Sequence, residues 1–491
     1  MDHSKNRKAE LQNNDHTFRY SDFHIGLRRF AESPLRNWKF LLRLDPHFSL
    51  LTFNFSLLTF IFSVSSIPTA SAAVPTSILF RHEHHLFTLL PSNFPDWQTR
   101  KESWLYRGNP IVVPSSMKVD GDSVPTLPTG ITKTSQVAWN RSAIARDLER
   151  YIGTPLARDA GSVVIGKNGS GAITFSGVGL TGRSLNVELA TTLTIQALDA
   201  GISDVRLPVN VLQPKVTVTD ADLLAQGIKE VVTVGESNFD NSPANRRHNI
   251  AVGLAKFNGH FIPQGSVFSF VETLGPVTGA TGYKKELVIK GNRTEPDYGG
   301  GLCQVSSTAY RGAWEFGFPI TQRINHSYVV NHYAPYGTDA TVYPPSVDIK
   351  FKNDSPGALL MQTFSIGDLA YFVYYGTKDS RKSEVIGPFI WGRTGPPPDR
   401  FEKTNEIPPG TTKKLGERVS GMKVMWTRVT TLPDGTEKLE PVYSSYEARP
   451  LYYLVGVEPA ELPIAPGEGD AAVPADSSSS AARVDPRTVP R

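Results

Sequence analysis

The chain has 491 residues, which at about 100–200 residues per domain predicts two to four domains. Its 51 Lys and Arg against 47 Asp and Glu give a net charge of +4, too small for the basic surface of a nucleic-acid-binding protein. We therefore expect no nucleic-acid partner. The single cysteine, Cys303, excludes an internal disulfide and a multi-cysteine zinc site. The 41 Gly and 37 Pro favour short strands and loops, as in an α+β multidomain protein.

An apolar segment near the N-terminus has the pattern of an export signal. Residues 48–67 carry no charge, and about twenty such residues are enough to span a bilayer. The preceding residues, 1–47, hold nine Lys or Arg against six acids, a bias that keeps this end in the cytoplasm. We expect a basic cytoplasmic leader over 1–47 and a signal peptide or transmembrane anchor over 48–72. The rest of the chain would then be exported to the cell envelope, either membrane-anchored or secreted.

Residues 73–137 show scattered prolines and little periodicity, which predicts a linker with short extended pieces. This stretch includes a histidine-rich run over residues 81–85. Three imidazoles so close in sequence are more typical of a solvated surface segment than of a metal site. We expect no metal and no cofactor.

Residues 138–230 have the pattern of a compact α+β domain. A helix capped by Ser142 comes first, then a hairpin around residues 167–171, and then a second helix ended by Gly201. In that second helix Leu185, Leu189 and Leu193 recur every four residues. An extended segment with prolines follows. This order resembles the peptidoglycan-binding domain that often precedes a VanW domain, and a small α+β spacer domain is the alternative.

Residues 231–377 contain six motifs in a characteristic order: NRRHNI, PQGSVFSF, GPVTGATGY, YGGGLCQVSSTAYRGAW, RINHS and YGTDATV. This segment resembles a VanW-family domain. The resemblance implies an α+β domain in a cell-envelope protein, from a family named for vancomycin-resistance gene clusters. It further implies peptidoglycan or another wall polymer as the partner.

The NRRHNI motif predicts a helix started by Asn245 or Asn249 and closed by Gly259. The neighbouring Arg246 and His248, with the arginine between them, offer donors that suit a carboxylate or phosphate of a wall polymer. Ion pairs within the domain itself are the alternative for such a cluster.

Three glycines immediately precede Cys303, and a helical pattern runs from about residue 304 to 316. The thiol would therefore lie at a helix N-terminus, where the positive end of the helix dipole favours the thiolate. On the same helical face follow Ser306, Ser307 and Tyr310, which we expect to form a small polar pocket floor.

Downstream, residues 319–330 look like a strand that carries His326, and Asp339 comes shortly before another β-prone run. A cysteine on a helix N-terminus followed by a histidine and an aspartate is similar in layout to papain-like and transglutaminase-like thiol enzymes. The hypothesis is a catalytic set of Cys303, His326 and Asp339, with His332 as a substitute for His326.

The alternative is a non-catalytic binding fold in which Cys303 is only a small buried side chain. In that case a groove for glycan or peptide would be built from aromatic, glycine and hydrogen-bonding residues. The separation of the Cys303 and His326 side chains distinguishes the two hypotheses. The expected ligand-binding residues are Tyr298, Gly300, Gly301, Gln304, Arg323, Tyr328, Arg246 and His248.

The C-terminal part begins with a predicted proline-rich linker over 378–400. Residues 401–457 contain β-prone runs around Pro433, Asp434 and Gly435, which predict a hairpin in a small all-β module. This module resembles the five-glycine β-modules of wall-associated proteins. Residues 458–491 lack aromatics and predict a disordered tail. Together these features predict an exported protein that associates with peptidoglycan, or alternatively a thiol enzyme that acts on wall peptides.

Overall fold

A computed structural model describes residues 73–112, 129–290 and 293–459 of the chain. The predicted leader (1–47), the predicted signal or anchor segment (48–72) and all but the start of the predicted tail (458–491) lie outside these residues. Within the described ranges, none of the helices is both long and apolar enough to cross a bilayer. Short helices alternate with many strands, which confirms a mixed α+β architecture.

The N-terminal region, up to residue 225, combines small sheets with short helices. Its helices are α1 (Arg141–Leu148), α2 (Thr154–Leu156), α3 (Val187–Ala200) and α4 (Ala221–Ala225). Its strands are β1 (Ile78–His82), β2 (His85–Leu89), β3 (Gln98–Tyr106), β4 (Asn109–Ile111), β5 (Ile131–Trp139), β6 (Ser162–Lys167), β7 (Ile173–Val178), β8 (Gly182–Leu185), β9 (Asp204–Arg206), β10 (Val209–Leu212) and β11 (Lys215–Val218).

The segment predicted as a linker, 73–137, is folded into this region. Strands β1 and β2 form a hairpin, and β1 also pairs in parallel with β9, placing Leu79 opposite Asp204. Strands β3, β4 and β5 form a second sheet. The apolar residues of β1 share one core with those of α1 and α3, so burial of Ile78 and Phe80 holds the segment in place.

The local predictions for 138–230 are confirmed in outline, with two corrections. Asn140, and not Ser142, caps α1 by accepting a hydrogen bond from the backbone N–H of Ala143. Helix α3 ends at Gly201 with a positive φ of 68°, as predicted. However, Leu189 is 46% exposed. Leu185 belongs to strand β8 and not to the helix, so a four-residue spacing counted from it does not identify the buried face of α3.

The central region is built around helix α7 (Leu302–Phe316), which packs on an antiparallel sheet of order β12-β20-β19-β13. A Cβ atom on Gly312 of α7 would lie 2.6 Å from the backbone nitrogen of Gly235 in β12, so this close packing requires glycine. The other helices are α5 (Ala244–Ala255) and α6 (Phe270–Leu274). The strands are β12 (Glu230–Asn238), β13 (Phe261–Ile262), β14 (Val267–Ser269), β15 (Lys285–Lys290), β16 (Arg293–Tyr298), β17 (Ile320–Gln322), β18 (Lys350–Lys352), β19 (Leu359–Ile366) and β20 (Leu369–Gly376).

Two secondary-structure predictions for the central region need correction. Of the strand expected over 319–330, only Ile320–Gln322 is extended and paired, and His326 lies in the loop that follows. Helix α5 has Pro243 at its N-cap, and Asn249 lies buried in its middle, so neither asparagine starts it. Asn249 instead donates to the backbone carbonyls of Lys284 and Gly300, linking α5 to the segment before α7.

The C-terminal region contains two three-stranded sheets, of order β21-β24-β25 and β22-β26-β23. Its strands are β21 (Lys382–Thr394), β22 (Arg400–Thr404), β23 (Thr412–Leu415), β24 (Gly421–Thr431), β25 (Glu437–Tyr446) and β26 (Tyr452–Gly456). The hairpin around Asp434 is confirmed, since β24 and β25 pair across it. The predicted linker 378–400 is wrong over most of its length, because β21 pairs along β24.

The β21-β24-β25 sheet shares the core of the central region. The rings of Trp426 and Trp314 lie 5.9 Å apart, edge to face, in one continuous apolar cluster. Arg428 donates to the backbone carbonyls of Trp314 and Phe318 at the end of α7. The β-module is therefore packed against the α7 region rather than set apart from it.

Candidate active site

A groove of about 1630 Å³ lies at the N-terminal end of α7. Its walls come from the β15–β16 hairpin, from residues 325–333 and 341–345, and from residues 416–420 of the C-terminal region. A cleft of this size with aromatic and polar walls is typical of a binding or active site. Five tyrosines line it: Tyr298, Tyr328, Tyr333, Tyr336 and Tyr343.

Cys303, the second residue of α7, is partly exposed in this groove. The preceding glycines allow other elements to approach the helix start. A Cβ on Gly300 would lie 2.7 Å from the carbonyl oxygen of Leu287, and one on Gly301, whose φ is 112°, would lie 3.0 Å from Cγ of Arg246. The Cys303 thiol donates to the carbonyl of Val342 across 3.7 Å. The sequence prediction of a thiol at a helix N-terminus is therefore confirmed.

His326 is fixed by Asp339. The Nδ1 atom of the imidazole lies 2.6 Å from Oδ2 of Asp339, and the backbone N–H of His326 donates to the same oxygen across 2.7 Å. The ring also stacks on Tyr333, with centroids 4.5 Å apart. His326 is only 4% exposed, and its Nε2 atom makes no hydrogen bond within the described residues. The His326 imidazole is thus buried and oriented, and it lines the groove while its Nε2 atom makes no hydrogen bond to the described residues.

Asp339 is held in its ionised form. Burial alone would raise the pKa of this carboxyl, but the hydrogen bond and charge of His326, together with the charge of Arg323, hold it well below its usual value. The Arg323 guanidinium lies 3.4 Å from Oδ1, and the Tyr446 hydroxyl donates to the same oxygen. Tyr446 comes from the end of β25, so the C-terminal region contributes directly to this site.

Cys303 and His326 shift each other's pKa in opposite directions. Burial raises the pKa of the thiol, but the charge of His326 and hydrogen bonding to it lower the pKa by more, so the net shift is downward. Burial lowers the pKa of His326, whereas the Cys303 thiolate and Asp339 raise it, to about 9. The two shifts favour the pair in which a thiolate lies beside an imidazolium over the neutral pair.

The contact between the two groups is close but not aligned. His326 interacts with the thiol strongly enough to lower its pKa, yet the geometry of Nε2 falls outside that of a formed hydrogen bond. Catalytic hydrogen bonds are commonly long or bent before substrate binds. The arrangement can supply a nucleophile, a proton carrier and an orienting carboxylate, which are the groups that acyl transfer requires.

The expected ligand-binding residues divide into two groups. Tyr298, Gly300, Gly301, Tyr328 and Arg246 line the groove. The other three do not.

Those three residues support neighbouring groups instead. Gln304 is fully buried and bonds Arg246 and Ser237, while Arg323 holds the Asp339 segment. The His248 ring bonds the carbonyl of Gly282, outside the groove. Their polar atoms are occupied by the protein itself, which corrects their expected role as groove residues.

The expected polar pocket floor is not formed. Ser306 donates to the carbonyl of Ala340 across 2.6 Å, and Ser307 accepts from the backbone N–H of Ala340 across 2.9 Å. Both serines are buried, as is Tyr310. They therefore attach the segment next to Asp339 to the helix that carries Cys303. His332 lines the groove, but it is His326 that Asp339 binds.

The histidine run forms the turn between β1 and β2 and contacts the other end of α7. Nδ1 of His84 lies 2.6 Å from Oε1 of Glu315, and both side chains are buried. Nearby, Glu236 of β12 pairs with Arg158 and Arg183 from the N-terminal region at 2.5 and 2.9 Å. Across the described residues, no cluster of His, Cys, Asp and Glu has the arrangement of a metal site.

Sequence reasoning missed Tyr446, Tyr333 and the groove residues of the C-terminal region, such as Arg449. Tyr446 is far in sequence from Asp339, which it contacts. Tyr333 and Arg449 belong to no recognisable motif. Only the pairing of distant segments brings the Tyr446 hydroxyl to Asp339, 107 residues away.

Comparison with known proteins places a VanW-like domain in this chain. The family model described as VanW like protein matches residues 245–372, about a quarter of the chain. The uncharacterized protein YoaR of Bacillus subtilis is 32% identical over 178 residues, which cover 36% of this chain and 57% of that protein. The vancomycin B-type resistance protein VanW of Enterococcus faecalis is 28% identical over 117 residues, covering 23% and 42%.

The chain thus spans about half the length of these curated relatives. No solved structure matches it. The matched range, 245–372, includes Cys303, His326 and Asp339, so these three candidate residues lie within the VanW-like domain. The resemblances of residues 138–230 and 401–457 to wall-associated domains stay predictions.

Proposed function

We propose that this protein is a thiol enzyme of the cell envelope that transfers or hydrolyses acyl groups of wall peptides, with Cys303 as the nucleophile. One observation carries the proposal: a buried His326 is bound to Asp339 through Nδ1 and keeps Nε2 without a partner beside a cysteine at a helix N-terminus. The sequence similarity to a vancomycin-resistance protein and the predicted export of the chain support the cell envelope as its location.

The reaction follows from the protonation states of the three groups. The Cys303 thiolate attacks the carbonyl carbon of an amide, forming a C–S bond as the C–N bond breaks. The His326 imidazolium gives its proton to the leaving amine, and Asp339 stabilises the ring in both charge states. Water or a second amine then attacks the thioester, loses its proton to His326 and releases the thiolate.

The groove supports a peptide or glycopeptide as the substrate. Its tyrosines offer flat apolar faces with hydroxyl groups at their ends, which suits sugars and peptide backbones. Acidic and basic side chains both line it, so no single sign of charge dominates. The acidic and arginine side chains of the groove are Arg246, Glu286, Asp297, Glu417, Arg418, Glu447 and Arg449.

The test is direct detection of an acyl-enzyme. Purified full-length protein is incubated with soluble peptide fragments of peptidoglycan and analysed by intact-protein mass spectrometry. We expect a covalent adduct on the peptide containing Cys303, removed by neutral hydroxylamine as a thioester would be. The adduct should be absent in Cys303→Ser and strongly reduced in His326→Gln, with thermal melting of both variants as the check on folding.

Non-catalytic binding of wall polymer in the same groove is the second candidate, favoured by the five groove tyrosines. Retention of the full-length protein on isolated sacculi tests it. Binding through stacking and hydrogen bonds should persist at about 0.5 M salt, where the Debye length is only ~4–5 Å. Retention that Cys303→Ala leaves unchanged, with no acyl adduct on the wild-type protein, would favour this candidate over the enzyme.

A further inference from the structure

Arg246 is a buried cation in the groove that has no carboxylate partner among the described residues. It is 7% exposed, lies on α5 and lines the groove. Its Nη1 atom donates to the Ser242 hydroxyl at 2.5 Å and its Nη2 atom donates to Oε1 of Gln304 at 2.9 Å. Both acceptors are neutral. Arg246 also has a side-chain hydrogen bond with the Tyr333 hydroxyl. A guanidinium has five N–H donors, so these contacts still leave donors for other partners.

Other buried arginines in the described residues differ from Arg246. Arg428 pairs with Glu440 at 2.6 Å, and Arg323 lies 3.4 Å from Asp339. Arg311 forms no carboxylate pair within the described residues but donates to the backbone carbonyls of Tyr333 and Ala334, and it does not line the groove. Each of these guanidinium groups is satisfied within the protein.

Arg449 also lines the groove without an acidic partner in the described part of the chain, but its surroundings are occupied. Its guanidinium lies 4.4 Å from the centre of the Tyr328 ring and donates to the Thr294 hydroxyl at 3.0 Å. Its charge is therefore stabilised by an aromatic face. Arg246 has no aromatic face of this kind among the cation–π contacts of the described residues. Because an unpaired buried charge is costly, its position favours an anion that arrives with a ligand.

The position of Arg246 links it to the nucleophile. A Cβ atom on Gly301, two residues before Cys303, would have the Cγ atom of Arg246 as its nearest neighbour. Its charge also acts on the Tyr333 hydroxyl, and the Tyr333 ring stacks on His326. An anion held by Arg246 would therefore lie next to the reacting thiolate and imidazolium.

We propose that Arg246 binds the free terminal carboxylate of the substrate, which makes peptides with an unblocked C-terminus the substrate class of this site. This inference rests on the proposed thiol function. Cys303 attacks the carbonyl of the amide nearest that C-terminus, the C–S bond forms, the C–N bond breaks, and the terminal amino acid leaves after accepting a proton from His326. Arg246 is then a specificity residue that selects carboxylate over amide termini, since a guanidinium binds carboxylate in a paired geometry.

A matched pair of alkylating reagents tests the charge effect at the thiol without requiring turnover. Iodoacetate carries a carboxylate and iodoacetamide the neutral amide, and both react with the Cys303 thiolate. We expect Arg246→Gln to lower the ratio of the iodoacetate rate to the iodoacetamide rate about tenfold, which corresponds to about 1.4 kcal/mol. Arg246→Lys, which keeps the charge, should retain most of the preference and covers the case in which the neutral variant fails to fold.

Arg247→Gln is the matched control, since it removes the same charge from the adjacent residue. Arg247 pairs with Asp368 and does not line the groove. Its substitution should leave the labelling ratio within about twofold of the wild-type value. An equal drop in both variants would show a general field effect and would overturn the assignment to Arg246.

A binding measurement separates this inference from the proposed function. In Cys303→Ala protein, which cannot react, N-acetyl-alanyl-alanine should bind more tightly than its C-terminal amide, and Arg246→Gln should remove that preference. If the preference survives Arg246→Gln while Cys303 still forms acyl adducts, the inference fails and the enzyme stands. If Cys303 is inert in wild-type protein but the carboxylate preference depends on Arg246, the enzyme fails and the anion site stands.

Discussion

A histidine–carboxylate pair lies near each end of helix α7. The nitrogen–oxygen distance is the same in both pairs, but one pair is ionised and the other is neutral. At the N-terminal end, Nδ1 of His326 lies 2.6 Å from Asp339, beside Cys303. At the C-terminal end, Nδ1 of His84 lies 2.6 Å from Glu315. All four side chains are buried. The contact distance alone therefore does not determine which pair is ionised.

The surroundings make the difference. Burial raises the pKa of Glu315 to about 8, and burial lowers the pKa of His84 to about 3, so this pair is mostly uncharged near neutral pH. In the other pair, Arg323 and Tyr446 stabilise the Asp339 carboxylate, and the Cys303 thiolate stabilises the imidazolium. Glu315 is also near the negative end of the α7 dipole, which disfavours its charge.

The comparison indicates a division of roles along α7. The neutral pair fastens the β1–β2 turn to the helix, and no part of it lines the groove. In the ionised pair, His326 lines the groove, and its Nε2 atom makes no hydrogen bond among the described residues. A stable docking contact and a reactive site can thus be built from the same two residue types.

The largest expected effect comes from an identical substitution in each pair. Asp339→Asn removes the charge that favours the imidazolium, so the Cys303 pKa should return towards about 8.5 and alkylation by iodoacetamide at pH 6.5 should slow by up to about 100-fold. Glu315→Gln replaces a carboxyl that is already protonated and should change that rate by less than about twofold. The pH dependence of labelling for the three proteins measures both effects.

Labelling near pH 10 is the control, because the thiol is then ionised in every variant and the rates should converge. Equal slowing at pH 6.5 in Asp339→Asn and Glu315→Gln would contradict the contrast between the two pairs. If Cys303 reacts only after denaturant is added, the claim that it belongs to an ionised, accessible site is wrong.

A smaller effect is expected for Tyr446→Phe. The hydroxyl of Tyr446 donates to Asp339, and losing one hydrogen bond to a carboxylate costs about 1 kcal/mol or more. We expect labelling of Cys303 at pH 6.5 to slow by about fivefold, with the rate near pH 10 unchanged. Tyr443→Phe on the same strand removes the hydroxyl of an exposed side chain and serves as the matched control. An unchanged rate in Tyr446→Phe would show that Asp339 does not need this donor.

The smallest expected effect is on stability. The pKa of Glu315 is about 8 in the folded protein against a usual value of 4.5, so between these values the folded state binds more protons and stability falls as pH rises. His84 acts in the opposite sense between about 3 and 6.5. These two effects oppose each other up to pH 6.5. From there to about pH 8 the Glu315 effect continues without opposition from His84, and His326, whose pKa is raised to about 9, lowers stability in the same direction whether or not Glu315 is present.

Urea unfolding at pH 6.5 and pH 8 tests this expectation. The wild-type free energy of unfolding should fall across that interval more steeply than that of Glu315→Gln, which has no carboxyl to titrate. Parallel pH profiles for the two proteins would show that Glu315 is ionised in the folded state, and the proposed difference between the pairs would be lost.

Local sequence patterns correctly predicted the structure around Cys303. The glycine run before Cys303, the helix after it and its end at Gly317 follow from turn and capping preferences that act over a few residues. The order of Cys303, His326 and Asp339 was recognised from residue types and spacing. Cys303 and His326 line one groove, and Asp339 binds the Nδ1 side of His326, in agreement with that layout.

The predictions that two segments are linkers, separate from the folded regions, were wrong. Residues 73–137 and 378–400 looked like linkers because of their prolines and weak periodicity, yet β1 and β21 pair with distant strands. Such pairing gains stability from main-chain hydrogen bonds and burial across the sheet, which no local propensity records. The same reason explains why Ser306 and Ser307 hold Ala340 and do not form a pocket floor.

The sequence by itself determined where the thiol lies on its helix and which kind of domain carries it, and it left His326 and His332 as alternatives beside Asp339. The tertiary structure decided the ionisation of those groups, because it brought Arg323 and Tyr446 to Asp339 and placed Glu315 in a buried interface with His84. It also decided that Arg246 faces the groove without an acid while Arg247 pairs with Asp368. Charge states depend on neighbours in space and on access to water, and both are set by contacts between segments far apart in the chain.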